Sequence, residues 1–172
     1  MSDTYLNLVN SGFTKKVAKQ LGLPQPAPLR RYRPGQPLLD GPALVLGAGS
    51  DADAVAALLS TTWDLEVHRH ATPEVRYAAV VLVLTEVLHP SDLGEPVLAA
   101  GGVLKSLARG GRVVTVSRTA AADDAPALAA ARQGVDGLLR SLAKELRGGS
   151  TGNGIVLDAG VGVDAPSVVG AL

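Results

Sequence analysis

The segments Arg112-Val-Val-Thr-Val-Ser117 and Ala127–Leu146, ALAAARQGVDGLLRSLAKEL, decide the fold of this chain. The first is a short, apolar, β-branched run, which is typical of a buried strand. The second has apolar residues at helical spacing. These residues are Leu128, Val135, Leu138, Leu142 and Leu146. A strand that leads into a long helix is half of a βαβ unit, so the pair predicts a parallel sheet.

The rest of residues 41–172 repeats this alternation of strand and helix. Strands are predicted at Ala43–Leu46, Leu65–His68, Ala78–Leu84 and Gly154–Leu157, and helices at Asp51–Leu59 and Leu98–Leu107. Five strands with intervening helices predict an α/β fold, a doubly wound parallel sheet of Rossmann or flavodoxin type. Right-handed crossovers favour the strand order 3-2-1-4-5. Because only a loop and a helical turn fit after the fifth strand, we expect this domain to be truncated before its last elements.

Residues 1–40 differ in composition from the rest and are predicted to form an N-terminal helix and an extended arm. Six basic residues against Asp3 and Asp40 give this segment a net charge of +4. The pattern predicts a helix over 14–21, capped by Thr14 and ended by Gly22 and Pro24. The prolines that follow favour an extended arm. The basic run at 30–33 in this arm is either a solvated loop or a contact with a second domain or subunit.

Composition excludes several classes of function. The 16 basic residues balance the 16 acidic ones, so a dedicated nucleic-acid binder is not expected. There is no cysteine, and His68 and His70 lack a surrounding carboxylate cluster, so we expect no metal site and interpret the histidines as a solvated strand end. No apolar run is long enough to span a membrane, and the N-terminus does not resemble a secretory signal. A cytoplasmic protein is therefore expected.

A glycine loop follows the first strand, at the position of a dinucleotide phosphate loop. Gly47 and Gly49 are present, but Asp51 and Asp53 occupy the later positions of the loop. Carboxylates stabilise a helix N-terminus and repel a pyrophosphate there. We therefore expect a structural turn without a bound cofactor. Arg69, at the end of the second strand, is compatible with an NADP 2′-phosphate, although a lone arginine is weak support.

The helix at 134–146, GVDGLLRSLAKEL, resembles that of the short-chain dehydrogenase/reductases, whose motif is Tyr-x-x-x-Lys. The resemblance places Leu128 at the tyrosine position, Arg132 at the lysine position and Ser117 near that of the catalytic serine. Leucine has no proton to donate to a carbonyl. The family's Asn-Asn-Ala-Gly segment is replaced by Leu84-Thr-Glu-Val87. The resemblance therefore implies that the fold is retained and that no catalytic residue remains.

The N-terminal arm resembles a narrower group, the actinobacterial high-molecular-weight 3-oxoacyl-acyl-carrier-protein reductases. The residues that carry this resemblance are Val9–Gly12, Ala18–Pro26 and Leu29–Gly35. The group implies a two-domain chain, in which a degenerate flavodoxin-like domain precedes a C-terminal ketoreductase domain that binds NADH. By this resemblance the segment is a non-catalytic domain without its own cofactor. Its expected partners are the C-terminal domain and a second subunit of a homodimer.

Two other functions remain open. A self-sufficient dehydrogenase with an atypical site needs Ser117, Arg132 or Tyr77 to replace the lost groups. A non-enzymatic α/β module for signalling or flavin binding needs an acidic pair or a hydroxyl-rich phosphate loop. Asp51 and Asp53 lie too far into the helix for the first, and the loop offers only Ser50 for the second.

Overall fold

A computed structural model describes residues 4–23 and 26–172. The helices are α1 (Thr4–Asn10), α2 (Gly12–Gln20), α3 (Ser50–Trp63), α4 (Gly94–Val103), α5 (Pro126–Glu145) and α6 (Pro166–Val169). The strands are β1 (Ala43–Leu46), β2 (Val67–His68), β3 (Ala79–Val83), β4 (Arg112–Arg118) and β5 (Thr151–Leu157). Short 3-10 helices span Pro90–Leu93 and Leu104–Ser106. No helix in this described part of the chain is both long and apolar enough to cross a membrane.

All five strands form one parallel sheet, which confirms the predicted fold class. Their order is β2-β1-β3-β4-β5, so the predicted order 3-2-1-4-5 is wrong. Every residue of β3 is buried, which requires a central position with helices on both faces. Because β2 has only two residues, it cannot cover β3 and lies at the edge. The observed order is that of flavodoxin-like sheets.

Helices cover both faces of the sheet. On one face, β1, β3 and β4 pack against α3 and the C-terminal segment around α6. On the other face, the same strands pack against α4 and α5. Within α5, the side chains of Ala131, Val135 and Leu142 are buried. Each fully buried aliphatic side chain stabilises the fold by about 1.5–3 kcal/mol, so the apolar stripe of α5 is explained by core packing.

The N-terminal helices depart from the prediction. α1 was not predicted, and α2 begins at Gly12 with Ser11 as its N-cap, so the assignment of Thr14 as cap is wrong. The Thr14 hydroxyl instead donates to the Ser11 carbonyl at 2.6 Å. Gly22, at φ +64°, ends the helix as predicted, with the Leu23 amide bonded to the Ala18 carbonyl. The helix-ending role predicted for Pro24 lies outside the described residues.

The arm runs along the amino ends of the strands. Arg30 holds it through an ion pair with Asp40 at 3.2 Å and through bonds to the carbonyls of Pro37 and Leu38. Leu29, Tyr32 and Leu38 are exposed, although they line a cavity of about 520 Å³ between the arm and the sheet. This cavity lies at the opposite edge of the sheet from the positions that the sequence singled out.

The turn before α4 is held by a carboxylate. The Asp92 side chain accepts bonds from the amides of Leu88 at 3.0 Å and His89 at 2.9 Å. The His89 ring accepts a bond from the Ser91 amide in return. The two amide bonds, Leu88 first, hold the pKa of Asp92 below its usual value.

We predict that Asp92→Asn makes stability less dependent on acid pH. A depressed folded-state pKa gives a contribution that is complete above the unfolded pKa of about 3.9 and lost as the pH falls through the folded value. Thermal unfolding at neutral pH should therefore show a lower melting temperature for the variant. The two proteins should converge in strong acid, and a constant difference across the pH range would contradict this account.

Candidate functional site

The carboxyl ends of β1, β3 and β4 bring the predicted site residues to one edge of the sheet. In open parallel sheets, ligands bind at this edge. Gly47 and Gly49 follow β1, Glu86 follows β3, and Ser117 lies near the end of β4. The site is described below from the glycine loop outwards.

The glycine loop is a close contact between two backbone segments. Gly47 has φ +128°, and a Cβ there would overlap the carbonyl oxygen of Val83 on β3. Gly49 has φ +86°, and a Cβ there would overlap the carboxylate of Glu86. Both glycines are therefore required, the first by neighbouring backbone and the second by an internal anion.

Glu86 occupies the N-terminus of α3. Its Oε1 accepts a bond from the Asp51 amide at 2.8 Å and lies 3.3 Å from the Ser50 hydroxyl. A helix N-terminus binds anions through free amides and the helix dipole. In this chain the bound anion is the protein's own carboxylate, at the position where a dinucleotide would place its phosphate.

The loop aspartates face arginines. Asp51 pairs with Arg118 of β4 at 3.3 Å, and Asp53 pairs with Arg69 at 3.2 Å. Arg69 also donates to the carbonyls of Val45 and, at 2.9 Å, of Gly47. The guanidinium considered for a 2′-phosphate is thus bonded to the loop itself.

A groove of about 200 Å³ separates α5 from the ends of β4 and β5. Ser117 and Arg132, two positions that the resemblance assigned to catalysis, both line it, together with Thr115. Thr115 and Ser117 are only 2% and 4% exposed. Leu128, the third position, is partly buried near the start of α5. The structure therefore brings two of the three positions together, and the third has an aliphatic side chain.

Arg132 is held by an acidic partner. Its Nη1 lies 2.8 and 3.0 Å from the two carboxylate oxygens of Asp124. The pair is largely buried, with side-chain exposures of 18% for the arginine and 10% for the aspartate. Asp124 also accepts a bond from the Ala121 amide at 2.9 Å. The arginine therefore fixes the connection between β4 and α5.

Tyr77 lies far from this edge in the topology. It precedes β3, is fully buried, and its hydroxyl bonds to the His68 ring at 3.1 Å and the Thr72 amide at 3.0 Å. His68 is also 2.9 Å from Glu66, with 27% of its side chain exposed. Its interpretation as part of a solvated strand end is therefore wrong, because the ring is fixed between the tyrosine and the glutamate.

Among the residues described by the structure, no group of three or more His, Asp or Glu side chains is arranged to hold a metal ion. No protein-family model matches the chain, and no curated protein matches it significantly. The arguments about function therefore rest on the site itself and on the sequence resemblance. Sequence reasoning missed the role of Glu86. The available signal was its position just after a strand adjacent to β1.

We predict that Gly47→Ala lowers the free energy of unfolding by at least about 2 kcal/mol, because it adds a backbone overlap to an unfavourable φ. Gly137→Ala is the matched control. Gly137 is exposed within α5, and its Cβ would contact nothing within 4 Å. This control should stabilise the chain by up to about 1 kcal/mol. Urea denaturation measures both variants, and a neutral Gly47→Ala would contradict the close contact with Val83.

We predict that Asp124→Ala lowers the free energy of unfolding by roughly 3 kcal/mol, because Arg132 loses its partner in a largely buried position. The control is Asp136→Ala, which breaks the exposed Asp136–Arg140 pair of 2.8 Å and should cost less than about 1 kcal/mol. Equal losses would show that the Asp124–Arg132 pair behaves as a surface contact.

Proposed function

We propose that this chain is a non-catalytic, Rossmann-like domain of a 3-oxoacyl-acyl-carrier-protein reductase. The observation that carries the non-catalytic assignment is the Glu86 carboxylate bonded to the α3 N-terminus. A pyrophosphate cannot approach the same amides without displacing this group. It would also meet the negative charges of Asp51 and Asp53 in the first turn.

The chemistry of α5 supports the same proposal. Reduction of a carbonyl needs a proton donor beside the substrate, and the aliphatic side chain of Leu128 cannot supply one. A cationic neighbour helps by lowering the pKa of such a donor. Here Arg132 has no acid to activate and is paired with Asp124.

The resemblance of the arm and of α5 supports assignment to the reductase family. Under this proposal, the parent protein reduces 3-oxoacyl thioesters in fatty-acid metabolism with NADH. The cofactor binds to a C-terminal ketoreductase domain of the same polypeptide, and the parent protein is a homodimer. The domain described here then serves folding, assembly or substrate docking.

The groove beside α5 supports a second candidate, a dehydrogenase with an atypical site. Ser117 and Arg132 share this groove, as such a site requires. The candidate is weaker because the arginine is already paired and because Tyr77, the other possible proton donor, is buried before β3. An assay of 3-oxoacyl thioester reduction by the isolated chain separates the two, and measurable turnover would favour the dehydrogenase.

We predict that the chain gives no calorimetric signal with NADH or NADPH at micromolar to millimolar concentrations. Glu86→Ala, which frees the Asp51 amide and removes a charge, should gain weak affinity for inorganic phosphate. Glu74→Ala is the control, since Glu74 is exposed outside the site and its removal should leave the chain silent. Micromolar nucleotide binding by the unmodified chain would contradict the proposed function. A silent Glu86→Ala variant would contradict only the role given to Glu86.

The family assignment has a separate test, which is the reading frame of the gene beyond the codon for Leu172. The expected result is a second domain with complete Gly-x-x-x-Gly-x-Gly and Tyr-x-x-x-Lys motifs. A continuation without either motif would refute the assignment, whatever the calorimetry shows.

A further inference from the structure

The outer edge of β5 has none of the features that usually protect an exposed strand. Such edges carry charged residues, proline or a bulge, or are covered by another segment. β5 reads Thr151-Gly-Asn-Gly-Ile-Val-Leu157, seven residues with neither charge nor proline, paired with β4 in an unbroken register. The exposed fraction of Val156 is 61%. An uncharged strand of this length is a template for pairing.

The outward hydrogen-bonding groups of β5 are identified by its bonds to β4. The Thr151 amide bonds to the Gly111 carbonyl, and the Leu157 carbonyl accepts from the Thr119 amide, both at 3.0 Å. Because the direction of these groups alternates along a strand, those of Gly152, Gly154 and Val156 point away from the sheet. Within residues 4–23 and 26–172, these three have no backbone partner beyond the strand.

We propose that β5 pairs with β5 of a second copy of this chain, antiparallel and about a two-fold axis at Gly154. The two five-stranded sheets then form one continuous sheet of ten strands. A two-fold axis perpendicular to the sheet makes the central pair antiparallel and presents the same residues from each side. The proposal does not depend on the function proposed above, because it uses only the exposed edge and its side chains.

The side chains of β5 fit this register. With Gly154 on the axis, Val156 of one copy lies opposite Gly152 of the other. Directly opposed residues are cross-strand neighbours on the same face of the sheet. The exposed Val156 side chain thus lies beside a position without a side chain, over which α5 of the second copy packs through Leu139 and Ala143. Each valine gains an apolar contact, and no two bulky groups collide.

The helices above the sheet also fit. α5 contacts both β4 and β5, so its axis runs above the space between them. In the paired sheet, the two α5 helices are then two strand spacings apart, or about 9.6 Å. Helices pack at axial separations of about 8–10 Å, so the second helix is neither too close nor too far for direct contact.

The charges on the facing side of α5 are self-complementary. Asp136 lines the groove above β5, and Arg140 follows one turn later. Both side chains are exposed, at 68% and 76%. A two-fold axis runs the helices antiparallel, which brings each Asp136 towards the partner's Arg140 and avoids like charges. The exposed ion pair within each helix becomes a four-charge cluster across the interface.

The test is sedimentation velocity of the chain from micromolar to millimolar concentration, with hydrogen exchange of single amides. We expect a monomer–dimer equilibrium, with protection of the Gly152, Gly154 and Val156 amides that increases as the dimer forms. The Asn153 and Ile155 amides, which point towards β4, should be protected at every concentration. This alternation distinguishes edge pairing from any other dimer.

Val156→Lys should weaken the dimer by at least about tenfold, since it places a charge at the edge. The control is Val156→Thr, which keeps a β-branched, uncharged residue and should still dimerise. Circular dichroism checks that both variants fold. A monomer at millimolar concentration would overturn the proposal. So would a dimer that Val156→Lys leaves intact and that leaves the three outward amides unprotected.

Discussion

The direct pairing of β3 with β1 is the constraint on which the rest of the structure depends. β3 is buried along its whole length, so it must have a strand on each side and helices on both faces. Pairing with β1 places the end of β3 beside the loop that follows β1. The Val83 carbonyl then excludes any side chain at Gly47, and Glu86, three residues later, reaches the N-terminus of α3. Strand order and the occupied anion site have the same cause.

Charges at this edge are largely neutralised within the chain. Three carboxylates, from Asp51, Asp53 and Glu86, meet two arginines and one helix N-terminus. A ligand phosphate would have to replace an internal anion whose bonds are already formed, and the displaced carboxylate would remain nearby. A dinucleotide loop keeps its amides free until the ligand arrives. This difference of electrostatics, more than the glycine count, separates the loop after β1 from a cofactor site.

Local patterns predicted the elements of the fold well, whereas pairings between distant elements were predicted less well. The runs at Ala43–Leu46 and Arg112–Ser117 became strands because apolar β-branched residues identify a buried strand without reference to its neighbours. The order of strands was wrong because crossover handedness leaves two orders open, and only the burial of β3 chooses between them. Glu86 was missed for a related reason. Its partner, the Asp51 amide, is 35 residues away, and no periodicity in the sequence connects the two.

The groove beside α5 shows why a helix can be retained after its chemistry is lost. Ala131, Val135 and Leu142 pack against the sheet, and Leu139 lies against Gly152 and Gly154 of β5, where a Cβ would have to displace it. These contacts depend on helical periodicity and on small residues in the strand, not on the groups at positions 128 and 132. The arginine acquired a structural role by pairing with Asp124, since a largely buried cation without a partner is costly. The same two glycines that bring α5 close to β5 also leave its edge without bulky side chains. Close packing of the helix and accessibility of the edge therefore arise from one feature of the sequence.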